Sequence, residues 1–222
     1  MPDLRFRFHS HDFGSHDIHL RTLRDNQQFQ DDDGVAERLH INSASWSLFG
    51  VVWASSQILA HLMVEHTIAG KRILEIGCGI ALPSMVLNQR HADITATDYH
   101  PEVEAFLNYN TALNEAPDIP FYRADWKDLD SGMGKFDLLV GSDILYEQNH
   151  VGLLSGFIDR HAKADSEVIL VDPDRRQHAR FSKTMVGLGF SHHQRRPAPA
   201  DYLDASFKGQ ILHYARGSLH KG

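Results

Sequence analysis

From Lys71 onward the chain alternates short apolar runs with amphipathic stretches, and that rhythm restricts the fold more than any other feature. Strands are expected at 72–76, 93–97, 119–123, 136–141 and 167–171, and helices at 83–90, 101–114, 148–163 and 176–188. Apolar strands separated by helices need a sheet covered on both faces, which a parallel sheet with crossover helices provides. Phe190 to Gln194 and Gln210 to Tyr214 have no helix between them, only a loop through Pro197-Ala-Pro-Ala-Asp, so they predict an antiparallel hairpin at the sheet edge. The expectation is an α/β fold with a doubly wound seven-strand sheet, mostly parallel.

Upstream, residues 3–23 alternate with a period of two. Leu4, Phe6 and Phe8 share one face, and Arg5, Arg7, His9 and His11 the other. Phe13-Gly14-Ser15 punctuates the run and Ile18 and Leu20 resume it, which predicts an N-terminal β-hairpin with its histidines on a solvated face. Asp31-Asp32-Asp33-Gly34 reads as a turn and Val51 to Glu65 as a helix, with apolar residues at Val51, Ile58, Leu59, Leu62 and Met63. At 222 residues one domain is expected, with 1–45 as a hairpin extension and 46–216 as the core.

The charge balance, 29 acidic against 22 basic residues, gives no basic field for a phosphate backbone, so nucleic acid is not an expected partner. The single cysteine, Cys78, excludes an internal disulfide and suits a reducing compartment. No uninterrupted apolar stretch has membrane-spanning length, and the N-terminus lacks a signal peptide's apolar region, so a cytoplasmic protein without a membrane partner is expected. His9, His11, His16 and His19 could gather on one hairpin face. No H-E-x-x-H motif or cysteine ligand accompanies them, so no metal centre is expected.

The first strand ends in a turn rich in glycine, K-R-I-L-E-I-G-C-G-I-A at 71–81, and the second ends at Asp98 in I-T-A-T-D. Two glycines spaced by one let backbone approach a ligand closely. An acid about twenty residues on can accept both ribose hydroxyls, which points to an adenosine-bearing cofactor. Leu82 occupies the third glycine position of the dinucleotide motif, which argues against NAD. Ligands of open parallel sheets sit beyond the strands' carboxyl ends. There the chain places Glu75 and Gly77, Asp98, Asp125 and Trp126, and Ser142 and Asp143. Asp125 could meet an adenine amino group, or cap a helix; Trp126 could offer its ring to the base, or pack in the core. Cys78 reads as a small turn residue rather than a nucleophile. Composition alone makes Trp53 a core residue.

Glu75, Gly77 and Gly79 resemble the E-x-G-x-G-x-G motif of seven-strand, Rossmann-like S-adenosylmethionine methyltransferases, with Ala81 in place of the last glycine. Gly50 and Trp53, L-E-I-G-C-G-I-A-L-P, T-D-Y, Asn110 and Asn114, Asp125-Trp126 and S-D-I-L-Y-E at 142–147 together resemble the family-16 protein methyltransferases, which are largely lysine-directed. The resemblance implies that Trp53, Gly77, Cys78, Gly79, Asp98, Trp126 and Ser142 contact S-adenosyl-L-methionine. It also implies that Asp143 and Tyr146, matching a D-x-x-Y motif, serve the acceptor, expected to be a lysine on a protein substrate. Asp143 as a helix cap and Tyr146 as packing are the plain alternatives. A small-molecule amine acceptor, nicotinamide-like, and a catalytically silent cofactor-binding partner protein are the rival functions.

Overall fold

The computed structural model describes residues 4–14, 17–28, 31, 33–41, 43–129, 131–146, 150–197, 203 and 207–217. His16, Glu147 and residues 198–201 of the expected edge loop lie outside them. In chain order the elements are β1 (Phe6–Asp12), β2 (Asp17–Leu23), α1 (Val35–Arg38), α2 (Ser43–Trp46), a 3-10 turn (Ser47–Gly50), α3 (Ala54–Glu65), β3 (Arg72–Ile76), α4 (Leu82–Gln89), β4 (Asp93–Asp98) and α5 (Val103–Leu113). There follow β5 (Phe121–Arg123), β6 (Phe136–Ser142), α6 (His150–His161), β7 (Ala162–Asp172), α7 (His178–Gly187), β8 (Ser191–Arg195) and β9 (Gln210–Arg216).

Seven strands form one sheet in the order β5-β4-β3-β6-β7-β9-β8, and β1 pairs with β2 in a separate hairpin. The pairs from β5 to β7 are parallel, and β9 is antiparallel to both β7 and β8. The expected α/β sheet with an antiparallel edge and an N-terminal hairpin is thus observed. Connections leave β3 toward β4 on one side and reach β6 on the other, so the order reverses between β3 and β6, where such sheets open a ligand crevice.

Alternation along the strands divides the core in two. Ile73, Leu138, Val140, Ile169 and Val171 join the cluster made with the hairpin, α3, α4 and α5. Leu74, Ile76, Leu139, Val168 and Leu170 face α6 and α7. The stretch Ser43–Glu65 is long and apolar enough by composition to cross a membrane, but half of its most apolar window is buried. The chain also leaves helical geometry at 51–53, and Ile58, Leu59, Ala60 and Met63 belong to the first cluster. The segment reads as a core element.

The hairpin forms, but the face that carries His9 and His11 is not the solvated one expected. Ile18 and Leu20 are fully buried, and their cross-strand partners are His11 and His9. Opposed residues of an antiparallel pair share a face, so these histidines lie on the core side, where burial lowers their pKa values. Phe8 is 61% exposed and Phe6 40%. His19 lies on the outer face, hydrogen-bonded to Ser10 at 2.8 Å, so His9, His11 and His19 do not share one face.

Candidate active site at the strand ends

Ile76 is level with Thr97 of β4 on one side and Gly141 of β6 on the other. Gly77, Asp98 and Ser142 therefore leave the sheet in one row. Gly77, Gly79 and Ala81 all have left-handed backbone, with φ of 62°, 53° and 58°. A Cβ on Gly77 would stand 2.7 Å from Ile144 Cγ2, and one on Gly79 would stand 3.1 Å from the Phe49 carbonyl oxygen. Ala81, buried at the N-cap of α4, shows why this motif position favours glycine: an L side chain there costs about 1–2 kcal/mol. A methyl group keeps the added bulk small.

Glu75 is only 1% exposed, and one of its oxygens accepts both the backbone N–H and the hydroxyl of Ser84. Burial pushes its pKa up to about 8, against the pull of the Ser84 hydrogen bonds. Glu75 thus ties the strand end to the start of α4, behind the turn and not in it. Cys78 is buried and donates its backbone N–H to Thr97 at 2.9 Å. Burial raises its thiol pKa well above the usual value, which keeps it protonated and un-nucleophilic.

Asp98 accepts the Gly79 N–H at 2.8 Å on one oxygen and the His100 N–H at 2.9 Å on the other. Burial raises its pKa, and those backbone donors, with that of Tyr99, oppose the rise. Three backbone donors leave about one of the carboxylate's four lone-pair positions for a further donor. His100, which sequence reasoning passed over, is stacked on Phe49 at 4.0 Å and edge-on to Trp46 at 4.4 Å. Burial lowers its pKa to about 3, so it stays neutral beside Asp98. Trp53 is half-buried at the N-cap of α3 and donates its indole N–H to the Leu48 carbonyl at 2.9 Å, so it is not a core tryptophan.

Asp125 accepts the Lys127 N–H at 3.0 Å and closes a turn, not a helix. Trp126 packs partly buried against the second core cluster. His150 stands edge-on to Trp126 at 5.0 Å and to Tyr146 at 4.5 Å, and its Nδ1 donates to the Ile144 carbonyl at 3.1 Å. Tyr146 is 55% exposed, so it is not core packing. The expectation of a helix through 148–163 gave His150 no separate role.

Ser142 ends β6, and Asp143 turns away from it with φ 54°, a left-handed conformation that aspartate tolerates better than most residues. Arg175, from the loop between β7 and α7, meets Asp143 side-on: Nε donates to Oδ1 and Nη2 to Oδ2, both at 2.8 Å. No sequence motif signals this contact. Asp172, 2% exposed, accepts the backbone N–H groups of Asp174 and Arg175 and so sets the loop that presents the guanidinium.

The arrangement fits S-adenosylmethionine on its own features. The turn carries no side chain at Gly77 or Gly79, Asp98 holds a carboxylate beside it, and Ile144, on the loop after β6, packs against Gly77.

Residues 36–186 match the lysine methyltransferase family. Among curated relatives, a histidine protein methyltransferase 1 homolog of Dictyostelium discoideum is 30% identical over 126 residues, 54% of this chain and 41% of that protein. The protein N-lysine methyltransferase METTL21A of Danio rerio is 28% identical over 138 residues, 58% of this chain and 63% of that protein. The chain thus spans about half the length of these relatives. Among solved structures, a ribosomal protein L11 methylase from Lactobacillus delbrueckii subsp. bulgaricus shares the fold with a TM-score of 0.60 at 22% identity, covering 75% of this chain and 80% of that one. The magnesium protoporphyrin IX methyltransferase of Synechocystis PCC 6803, solved with bound S-adenosylmethionine, gives 0.55 at 20% identity, covering 72% and 76%. The chain belongs to the lysine methyltransferase family of S-adenosylmethionine-dependent methyltransferases.

Proposed function

We propose that this protein transfers a methyl group to the side-chain nitrogen of lysine on a protein substrate. The observation that carries this reading is Asp143, a carboxylate at the end of β6 that holds a cationic nitrogen group side-on beside the cofactor turn. When bound, S-adenosylmethionine supplies an electrophilic methyl on a sulfonium. Gly77, Gly79 and Asp98 would hold its amino-acid and ribose portions, with Trp126 toward the base.

The protein's share of the chemistry is positional. In-line displacement needs a neutral amine held at near-attack distance, and orientation of that kind can supply about 7–11 kcal/mol of the barrier. Asp143 would orient the amine, and exposed Tyr146 would border its approach. The departing proton passes to water at the open side.

The test is mass spectrometry of lysate proteins incubated with enzyme and isotopically labelled S-adenosylmethionine. Label on lysine, abolished by Asp143→Asn, is the expected result. Label confined to small molecules, or to histidine or arginine, would replace the lysine reading with the corresponding acceptor.

A further inference from the structure

Asp143 is not a bare anion. Its side chain is 12% exposed, and both oxygens accept from Arg175, whose side chain is 45% exposed. A carboxylate offers about four lone-pair positions, and side-on pairing uses one on each oxygen, leaving the others for an incoming donor. The contact is built by the loop and not by a free side chain alone. Asp174 and Arg176, on either side of Arg175, both have left-handed backbone, with φ of 72° and 63°. Asp172 fixes the intervening amides. Non-glycine residues adopt such conformations at a cost, so the loop spends strain to aim this side chain.

Resting on the lysine reading above, we propose that Arg175 is a positioning residue of the acceptor site. It fixes the Asp143 carboxylate for the incoming lysine and presents the amine with a neutral ion pair instead of an isolated negative charge, which favours the uncharged, reactive amine. A lone carboxylate within about 4–6 Å stabilises an ammonium by roughly one to three pKa units. That would work against methyl transfer, and a paired cation offsets it. Lysines beside a second cationic group are activated by the same electrostatics.

Other groups face the pair. Asp172, whose pKa burial raises, lies close enough to Asp143 and Arg175 to interact with both, and Tyr146 interacts with Arg175. His178 of α7 stands 3.6 Å from Asp172 and 3.8 Å from Asp174. His150 of α6 packs on Tyr146. Among the described residues, Arg175 is the group that contacts both oxygens of Asp143.

The experiment is the pH dependence of labelled-methyl transfer to lysine in lysate proteins, compared for the full-length protein, Arg175→Gln and Arg175→Lys, with S-adenosylhomocysteine affinity measured by calorimetry as the control for folding. Arg175→Gln should bind S-adenosylhomocysteine as the parent does, while its acid limb moves up by about one pH unit or more. Arg175→Lys keeps the charge without the fork, so it should lose rate with the limb near that of the parent. Arg175→Met serves as the second neutral variant should Gln fail to fold. An unmoved limb in the neutral variants overturns the proposal even if their rate falls, since a structural role alone predicts that pattern. Faster transfer at every pH in the neutral variants overturns it as well, because Arg175 would then be a blocking occupant. Absence of methyl-lysine with the parent protein overturns the lysine reading and this inference together; methyl-lysine with an unmoved limb overturns this inference alone.

Discussion

Asn110 of α5 and Asn114, the C-cap residue one turn on, clamp two alternate residues of β2. Asn110 accepts the Arg21 N–H at 2.8 Å and donates to the Arg21 carbonyl at 3.3 Å, while Asn114 accepts the His19 N–H at 2.8 Å and donates to the His19 carbonyl at 2.6 Å. A side-chain amide has the donor and acceptor of a peptide group, so the helix supplies the partner that a third strand would have supplied. Arg21 closes the joint, its guanidinium over Tyr109 at 3.6 Å and over Phe6 and Phe106 at 4.6 and 4.9 Å.

Replacing Asn110 by Ala leaves the Arg21 backbone groups without that partner in a half-buried setting, at a cost of about 1–3 kcal/mol. Hydrogen exchange should show the β2 amides at His19 and Arg21 losing protection while the amides of β3 keep theirs. Uniform loss across both would mean that the hairpin unfolds only with the whole sheet.

Asp98→Ala should weaken S-adenosylhomocysteine binding by about 1.5–3 kcal/mol for each ribose hydrogen bond lost to the charged acceptor. Calorimetry measures this directly. NAD should give no binding heat, because Leu82 stands where a dinucleotide site requires glycine.

Gly77→Ala combines left-handed backbone with a Cβ 2.7 Å from Ile144 Cγ2. Strain of about 1–2 kcal/mol and overpacking of about 1–3 kcal/mol predict a loss of about 2–5 kcal/mol in urea unfolding. At Ala81→Gly the strain relieved is offset by the lost buried methyl, about 0.8 kcal/mol, and by glycine's unfolded-state entropy, about 0.4–1 kcal/mol. Stability there should stay within about 1 kcal/mol of the parent, and a larger change would contradict this balance of terms.

Glu75 gives a pH signature with a definite sign. Its folded pKa of about 8 lies above the ordinary 4.5, so between those values the folded state holds the extra proton. The stability tied to this protonation is complete below pH 4.5 and is lost as pH rises through 8. Urea unfolding at pH 5, 6.5 and 8 should show the difference between the parent and Glu75→Gln changing in that direction. A difference independent of pH would mean that Glu75 does not bind the proton.

Much of this was readable in the sequence because the central strands, such as β3 and β6, are buried on both faces and the helices on one, which writes two distinct periods into the chain. Strand ends were legible for the same reason, and with them Gly77, Asp98, Asp143 and Ser142. The hairpin shows the limit. A two-residue period reveals that faces alternate but not which one turns inward; pairing with Ile18 and Leu20 gave His11 and His9 the core side. Arg175 was invisible because its partner lies 32 residues away, and the loop that brings them together has no periodicity to read.

Ile144 has one further consequence. Its Cγ2 fills the space beside Gly77 and its Cδ1 the space beside Gly141, where a Cβ would come within 2.8 Å of it. One side chain thereby gauges the gap between the glycine turn after β3 and the end of β6. A lineage that enlarged Gly77 would need a smaller or displaced side chain at position 144 in the same step, whereas one that enlarged Gly141 would still meet the Ile76 carbonyl oxygen at 3.0 Å.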